Sequence, residues 1–121
     1  MTERQEFGKR IQELREAKKK DDPAFSLRKF GLAVDLSPTF LSKLENGEMN
    51  PPKAEKIKKM AELLEVDADE LLALAGKVSP DLPEIIQETP IAMADLLRTV
   101  QGLSEKELKE ITARIKKGKK E

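Results

Sequence analysis

The stretch LSPTFLSKLENGEMNPP, residues 36–52, predicts one very short helix set between two firm stops. Ser37 is a favoured N-cap, and Pro38 suits the first helical position because its missing N–H costs nothing there. Asn46-Gly47 is a typical helix end, and Pro51-Pro52 predicts the start of the next helix. Such a helix either merely packs or is presented to a partner, and the flanking sequence is needed to decide between the two.

Two helices are predicted upstream of this stretch. An amphipathic helix over Glu3–Lys18 comes first, and Ser26 is the natural N-cap of a second helix, Leu27–Val34. Asp35 lies where the chain must turn, and aspartate tolerates left-handed geometry better than most residues. The upstream sequence therefore predicts a pair of short helices, with a tight turn leading into Ser37.

Two more helices are predicted downstream, so that residues 1–77 form an all-α, five-helix domain. Pro51-Pro52 opens the fourth helix, Asp67 with Glu70 resembles a capping box for the fifth, and Gly76 ends it. Apolar residues at helical spacing provide a small core. Those assigned to the five helices in turn are Phe7, Ile11, Leu14; Leu27, Phe30, Leu32, Val34; Leu41, Leu44; Ile57, Met60, Ala61, Leu64; and Ala68, Leu71, Leu72, Ala75.

The sequence changes in character after Gly76. Residues 78–90 are rich in proline and predict a linker or short helical turns, followed by a C-terminal helical segment over 91–121. Ser104 and Glu107 form a capping box for the last helix, whose basic end we expect to fray. Two such helices make little core of their own, so their stripes either fold back on the first domain or meet a second copy. The stripes are Met93, Leu96, Leu97 and Val100, and Leu108, Ile111 and Ile115.

Composition excludes several classes of function. The 121 residues contain no Cys and no His, so disulfides, thiolate metal sites, the commonest zinc ligand and the usual general base are all missing. No Gly-rich phosphate loop is present, and we predict neither an enzyme nor a cofactor. No apolar run approaches membrane-spanning length and no signal peptide is evident, so we expect a cytosolic protein without a membrane partner.

Residues 26–47 predict two short helices joined by a three-residue turn, SLRKFGLAV-DLS-PTFLSKLENG. In a helix-turn-helix of this kind, the second helix enters the DNA major groove with its N-terminal residues leading. With the preceding FGKRIQELREAK and the following NPPKAEKIKKMAELLEVDADELL, the unit resembles the lambda-repressor/Cro-like (Xre) helix-turn-helix family over about residues 3–76. The resemblance implies a lambda-repressor-like DNA-binding domain in which the short helix is presented to double-stranded DNA.

The family's base-reading positions fall on Pro38, Thr39, Phe40 and Lys43. Lys43 can donate to guanine O6 and N7, and the Thr39 methyl or Phe40 ring can meet a thymine methyl. Bidentate readers are missing here, so DNA shape is expected to add specificity. For Phe40, packing against the second helix is the alternative. The family often has Gln where this chain has Leu27, so we expect weaker positioning by the second helix.

Phosphate contacts are better supplied than base contacts. Cationic side chains and helix N-terminal N–H groups bind phosphate oxygens and set the register on DNA. The candidates are Arg28, Lys29, Ser42, Asn46, Lys53 and Lys56. Over Lys53–Lys59 there are four Lys against one Glu, whereas Glu62–Glu70 holds five acids and no base. The net charge of zero therefore conceals a dipolar domain.

The resemblance also implies a structural ion pair. In the family, an acid at the position of Glu45 often pairs with an Arg on the first helix, and Arg15 is the matching residue here. We expect this pair to support the fold rather than to contact DNA.

These features predict a sequence-specific DNA-binding transcriptional regulator, a repressor that binds a palindromic operator as a homodimer. The resemblance supports the dimer, because repressors of this family commonly bind paired half-sites, and it assigns the tail stripes to self-association. A looser implication of the resemblance is a further partner, a zinc metallopeptidase that cleaves such regulators at the proline-rich junction. The alternative function is a helix-turn-helix antitoxin or adaptor whose C-terminal helices bind a partner protein.

Overall fold

The computed structural model of the protein describes residues 1–120, so Glu121 at the end of the predicted C-terminal segment lies outside it. Within the described residues, the chain forms eight α-helices and no strand, which confirms the predicted all-helical class. The helices are α1 (Glu3–Asp21), α2 (Leu27–Val34), α3 (Pro38–Glu45), α4 (Ala54–Leu64), α5 (Ala68–Leu74), α6 (Asp81–Glu88), α7 (Pro90–Val100) and α8 (Glu105–Lys120).

The chain divides into two compact units, Met1–Leu82 and the residues from Pro83 onward. Residues 78–90, predicted as a linker or short helical turns, contain the whole of α6. No helix among the described residues has the length and apolar character needed to cross a membrane. The functional limits of the domains stay a prediction.

Local hydrogen bonds begin α2 and α3 as predicted. The hydroxyl of Ser26 accepts the N–H of Lys29 at 3.1 Å, and the hydroxyl of Ser37 accepts the N–H of Phe40 at 3.0 Å. Asp35, at the end of α2, has φ of 58° and ψ of 47°, which is the expected left-handed conformation. The three-residue turn is held at its start by the N–H of Leu36, which donates to the carbonyl oxygen of Gly31 at 2.8 Å, and at its end by the Ser37 cap.

The predicted capping box of α5 is wrong in its second half. The Asp67 carboxylate accepts the N–H of Asp69 at 2.8 Å, but Glu70 does not reach back to Asp67. Its carboxylate instead accepts from Nε of Arg10 on α1 at 3.0 Å. Glu70 has a choice between a local amide and a cation on another helix, and the cation gives the stronger, charge-assisted bond.

The limits of two helices also differ from the prediction: α1 ends at Asp21 rather than at Lys18, and α4 begins later than expected. The fourth helix begins at Ala54, because Lys53 is extended with ψ of 156° and is the N-cap, so Pro51-Pro52 precedes the helix. A residue before a proline is disfavoured in the helical region, which keeps this stretch extended. α8 is helical to Lys120, and lysines near a helix C-terminus interact favourably with its dipole. The expected fraying of this end stays a prediction.

The buried apolar residues of the described chain all lie between Phe7 and Ala75. Leu32, assigned above to the apolar set of α2, is 74% exposed, because it lies between Phe30 and Val34 in sequence and so points away from both on the helix. Its place in the core is taken by Phe25 in the preceding loop, whose ring centroid lies 5.5 Å from that of Phe30.

Two glycines let neighbouring helices approach α3 and its turn. A Cβ on Gly8 of α1 would collide with the carbonyl oxygen of Leu44 and lie 3.0 Å from that of Glu45. A Cβ on Gly31 of α2 would collide with the carbonyl oxygen of Leu36. Both helices therefore contact α3 or its turn through backbone, which places α3 more closely than side-chain packing alone would allow.

Candidate nucleic-acid interface

Helix α3 has one face in the core and one in solvent. Leu41 and Leu44 are fully buried, whereas Pro38, Thr39 and Lys43 are exposed. α3 packs against both α1 and α2, so its orientation is fixed from behind. The result is a short helix whose exposed face is free to meet a ligand.

The last turn of α3 is tied to α1 by the predicted ion pair. Arg15 donates from Nε to Oε2 of Glu45 at 2.7 Å and from Nη2 to Oε1 at 2.9 Å. Their side chains are only 11% and 5% exposed. Hydrogen bonding to Glu45 raises the pKa of the Arg15 guanidinium above its ordinary value, although burial acts in the opposite direction. The structure confirms this pair and shows it to be buried and bidentate.

Two residues near the exposed face of α3 have a packing role. Phe40 is half-buried and packed against the core, and its contact with DNA stays a prediction. Leu27, at the position where Gln is frequent in the resembling family, is also half-buried and packed against the core. Leu27 therefore contributes apolar packing where a polar side chain would have been available for DNA.

Lys56 links α4 to the turn between α2 and α3. Its Nζ donates to the carbonyl oxygen of Val34 at 2.8 Å and lies 3.5 Å from that of Asp35. These carbonyls end α2, so the ammonium group satisfies acceptors that have no partner further along the helix. The first turn of α4 is thereby held beside the helix-turn-helix unit.

The remaining cationic candidates are available to solvent. Arg28 and Lys29 are exposed in the first turn of α2, and Lys53 is exposed at the start of α4. Lys53 gives α4 no side-chain cap. The amides of Lys56 and Ile57 donate to the carbonyl oxygen of Lys53, so the amides of Ala54 and Glu55 are the ones that can donate to an anion. Ser42 and Asn46 are exposed at the C-terminal half of α3 and just beyond it.

The ten candidate DNA contacts thus lie on three segments: the first turn of α2, α3 with its end, and the first turn of α4. α2 packs against both α3 and α4, and Lys56 reaches the turn itself. Their contacts with DNA stay predictions. Among residues 1–120, no group of three or more carboxylates that could hold a metal ion is present.

Sequence reasoning missed Gly8, Gly31 and the turn contact of Lys56. A signal existed for the glycines, since Gly inside a helix costs about 0.5–1 kcal/mol relative to Ala and is expected there only for a reason such as close approach. No comparable signal existed for Lys56, because its partners are 22 and 21 residues away in sequence.

Replacing Lys56 by methionine is expected to lower the free energy of unfolding by about 1–2 kcal/mol, because a charged donor to the turn carbonyls is lost while the length of the side chain is kept. Lys53→Met, at an exposed position of the same segment, should change stability by under about 0.5 kcal/mol. Thermal or urea unfolding of the two variants measures the difference. Equal stabilities, with weaker DNA binding by Lys56→Met, would instead assign Lys56 to a phosphate.

Comparison with known proteins identifies the family. The model of a family described as a helix-turn-helix domain matches residues 8–77, which is more than half of the chain and includes α2, α3 and α4. The chain belongs to this helix-turn-helix domain family. The matched range contains Gly8, Arg15, Gly31 and Glu45, the residues that position α3.

A curated relative also supports the helix-turn-helix family. Over 82 residues the chain is 35% identical to RghRB of Bacillus subtilis (strain 168), an uncharacterized HTH-type transcriptional regulator. The similar part is 68% of this chain and 55% of the relative, so the chain spans about half the length of that protein. No solved structure matches the chain.

Proposed function

We propose that the protein is a sequence-specific DNA-binding transcriptional regulator of the lambda-repressor/Cro-like type, in which α3 is the recognition helix. The observation that carries the proposal is the exposed face of α3, with Thr39 and Lys43, on a helix held from behind by a buried ion pair and a backbone contact at Gly8. Membership of the helix-turn-helix family and the name of the bacterial relative support it.

Selection of bound sequences from a random pool of duplex DNA tests this function. A regulator of this kind should enrich one motif, and a dimeric repressor should enrich a palindrome whose half-sites are about 34–36 Å apart. A pool that shows no enrichment would contradict sequence-specific binding. Enrichment of a single, asymmetric half-site would support DNA binding while contradicting the palindromic operator.

Lys43 and Lys53 are expected to act differently on DNA. Lys43→Ala should lose discrimination at one base pair by about 1–3 kcal/mol, because Lys43 lies on the exposed face of α3. Lys53→Ala should weaken binding to all DNA sequences alike. It should also reduce, by about one, the slope of the logarithm of the binding constant against the logarithm of the salt concentration. Binding titrations with operator variants at several salt concentrations measure both effects. An unchanged ranking of operator variants would remove Lys43 from the base readers.

The proposed regulator acts as a homodimer through its C-terminal helices. Among the described residues, none after Ser79 is buried, and Leu96 and Leu97 are each 48% exposed. Three of the seven stripe residues, Met93, Val100 and Ile111, are half-buried and the other four are exposed. Covering seven such side chains removes several hundred Å² of apolar surface from water. Each Å² stabilises the dimer by about 25 cal/mol, before the cost of association is subtracted.

We expect the full chain to be a dimer. Residues 1–82, which contain every residue described as buried, should be monomeric and should bind DNA weakly. Leu97→Asp should split the dimer without loss of helicity, because it puts a charge into the stripe. Thr99→Asp places the same charge off the stripe and should leave the dimer intact. Light scattering on these proteins decides, and a monomeric full chain or a dimeric 1–82 fragment would contradict the proposal.

The uncovered C-terminal stripes also favour a second candidate, an antitoxin or adaptor that binds another protein. A monomeric full chain that co-purifies with one partner in a one-to-one complex would favour it. The metallopeptidase implied by the family resemblance would most easily reach Val78, which is 65% exposed in the non-helical segment before α6.

A further inference from the structure

The charges of α8 are segregated along its length. From Glu105 to Ile111 the helix has three Glu and two Lys, whereas from Thr112 to Lys120 it has five Lys or Arg and no acid. The two halves therefore differ in sign, with a slightly acidic first half and a strongly basic second half.

The apolar stripe of α8 is uncovered and flanked by these charges. Leu108 and Ile115 are 39% and 54% exposed, and Ile111 lies between them and is half-buried. Helical spacing puts Glu107 and Arg114 along one side of the stripe, and Glu105 and Lys119 along the other. Each side thus begins with an acid and ends with a base.

We infer that α8 pairs antiparallel with α8 of a second copy of this chain, an inference that rests on the proposed homodimer and defines its geometry. Antiparallel pairing puts Leu108 opposite Ile115 of the second copy, with Ile111 near the centre. On the two sides of this seam, Glu107 meets Arg114 and Glu105 meets Lys119 of the other copy. Parallel pairing would put two strongly basic halves side by side.

Two local contacts involve these groups. Oε1 of Glu107 accepts the N–H of Ser104 at 3.2 Å in the capping box of α8, and the second oxygen of this carboxylate is left for Arg114 of the other copy. Glu105 bonds to Lys109 at 3.2 Å, but their side chains are 82% and 76% exposed. An exposed pair of this kind contributes little, and a better-covered pair across a helix seam can replace it. Antiparallel packing also places the positive end of each helix dipole beside the negative end of the other, which adds to the preference.

Cysteine cross-linking tests the orientation directly, because the chain has no Cys of its own. One full-length protein carries Glu105→Cys and another carries Lys119→Cys, positions about 21 Å apart along the helix. The two are mixed, allowed to exchange subunits and treated with a short bis-maleimide. Antiparallel α8 helices give the mixed 105–119 product, and parallel helices give 105–105 and 119–119 products, which would overturn the inference.

A charge exchange tests the flanking pairs. Arg114→Glu should raise the dimer dissociation constant about tenfold, because each reversal alters two symmetry-related contacts and each flanking pair is worth a few-fold. Adding Glu107→Arg should restore the dimer to within a few-fold. Lys117→Glu makes the same change in net charge on the opposite face of α8 and should have little effect. Equal weakening by Arg114→Glu and Lys117→Glu would overturn the inference.

The outcomes separate this inference from the proposals on which it rests. If light scattering shows a dimer but neither kind of cross-link forms, α8 is not in the interface. The α8 pairing is then overturned, and the proposed homodimer is not. A monomeric full chain would overturn both the dimer and the α8 pairing. Neither result affects sequence-specific DNA binding, which the selection from random duplexes measures separately.

Discussion

Arg15→Ala is expected to lower the free energy of unfolding by about 3–5 kcal/mol, because it leaves the carboxylate of Glu45 buried without its partner. The side chain of Glu45 is 5% exposed, and both of its oxygens accept hydrogen bonds from Arg15. Water cannot readily replace the guanidinium at such a site. Thermal and urea unfolding of the full chain measure the loss, and DNA binding should fall only in proportion to the unfolded fraction.

A matched control is available on the same helix. Arg10→Ala removes an ion pair with Glu70, but those side chains are 36% and 46% exposed, so the cost should be under about 1 kcal/mol. Replacing both members of the buried pair, as Arg15→Met with Glu45→Leu, should recover most of the stability lost by Arg15→Ala, since no charge is then stranded. An unchanged melting temperature for Arg15→Ala, with DNA binding lost, would show that Arg15 acts on DNA instead.

Gly8→Ala is the second large effect that we expect, a loss of about 2–3 kcal/mol of unfolding free energy. The added methyl would meet the carbonyl oxygens of Leu44 and Glu45, which belong to backbone and cannot rotate away. α1 and α3 must then separate, so α3 should also shift relative to α2 and read DNA less well. Urea unfolding and operator binding under conditions where the variant is folded measure the two consequences.

Gly118→Ala is the control for Gly8→Ala. Gly118 is also inside a helix, but a Cβ there would meet nothing within 4 Å. The same substitution should therefore raise helical stability by up to about 1 kcal/mol, since alanine is the better helix former. Opposite signs at the two positions would show that contact with α3, rather than helix propensity, determines the need for Gly8. A neutral Gly8→Ala would contradict that contact.

The predictions from sequence succeeded where the interacting groups lie within a few residues of each other. The caps of Ser26 and Ser37, the left-handed Asp35 and the Ser104–Glu107 capping box all form as expected. Each cap depends on a side chain and an amide brought together by a single turn of chain, and the conformation of Asp35 is local to that residue. Helical periodicity also found most of the core, because burial of one face imposes that period on the sequence.

The family resemblance supplied one long-range contact that local reasoning alone did not. Arg15 and Glu45 are 30 residues apart, and their pairing was expected only because the resembling family pairs these positions. The resemblance did not decide the role of Phe40, because both packing and DNA contact were compatible with the sequence. The structure puts its ring partly against the core.

The sequence by itself determined seven of the eight described helices, where most of them begin, and that a short helix follows a tight turn at Asp35; it left α6 as a linker or short helical turns. The tertiary structure decided which partners the side chains of those helices contact. Glu70 bonds to Arg10 rather than to the amide of its own N-cap, and Lys56 bonds to the turn carbonyls. Phe25, rather than Leu32, is buried beside Phe30. The physical reason is the range of the interactions. A serine cap meets its amide within the same turn of chain and competes mainly with water. A lysine, a carboxylate or an apolar ring has further partners, which come within reach only when the helices have packed.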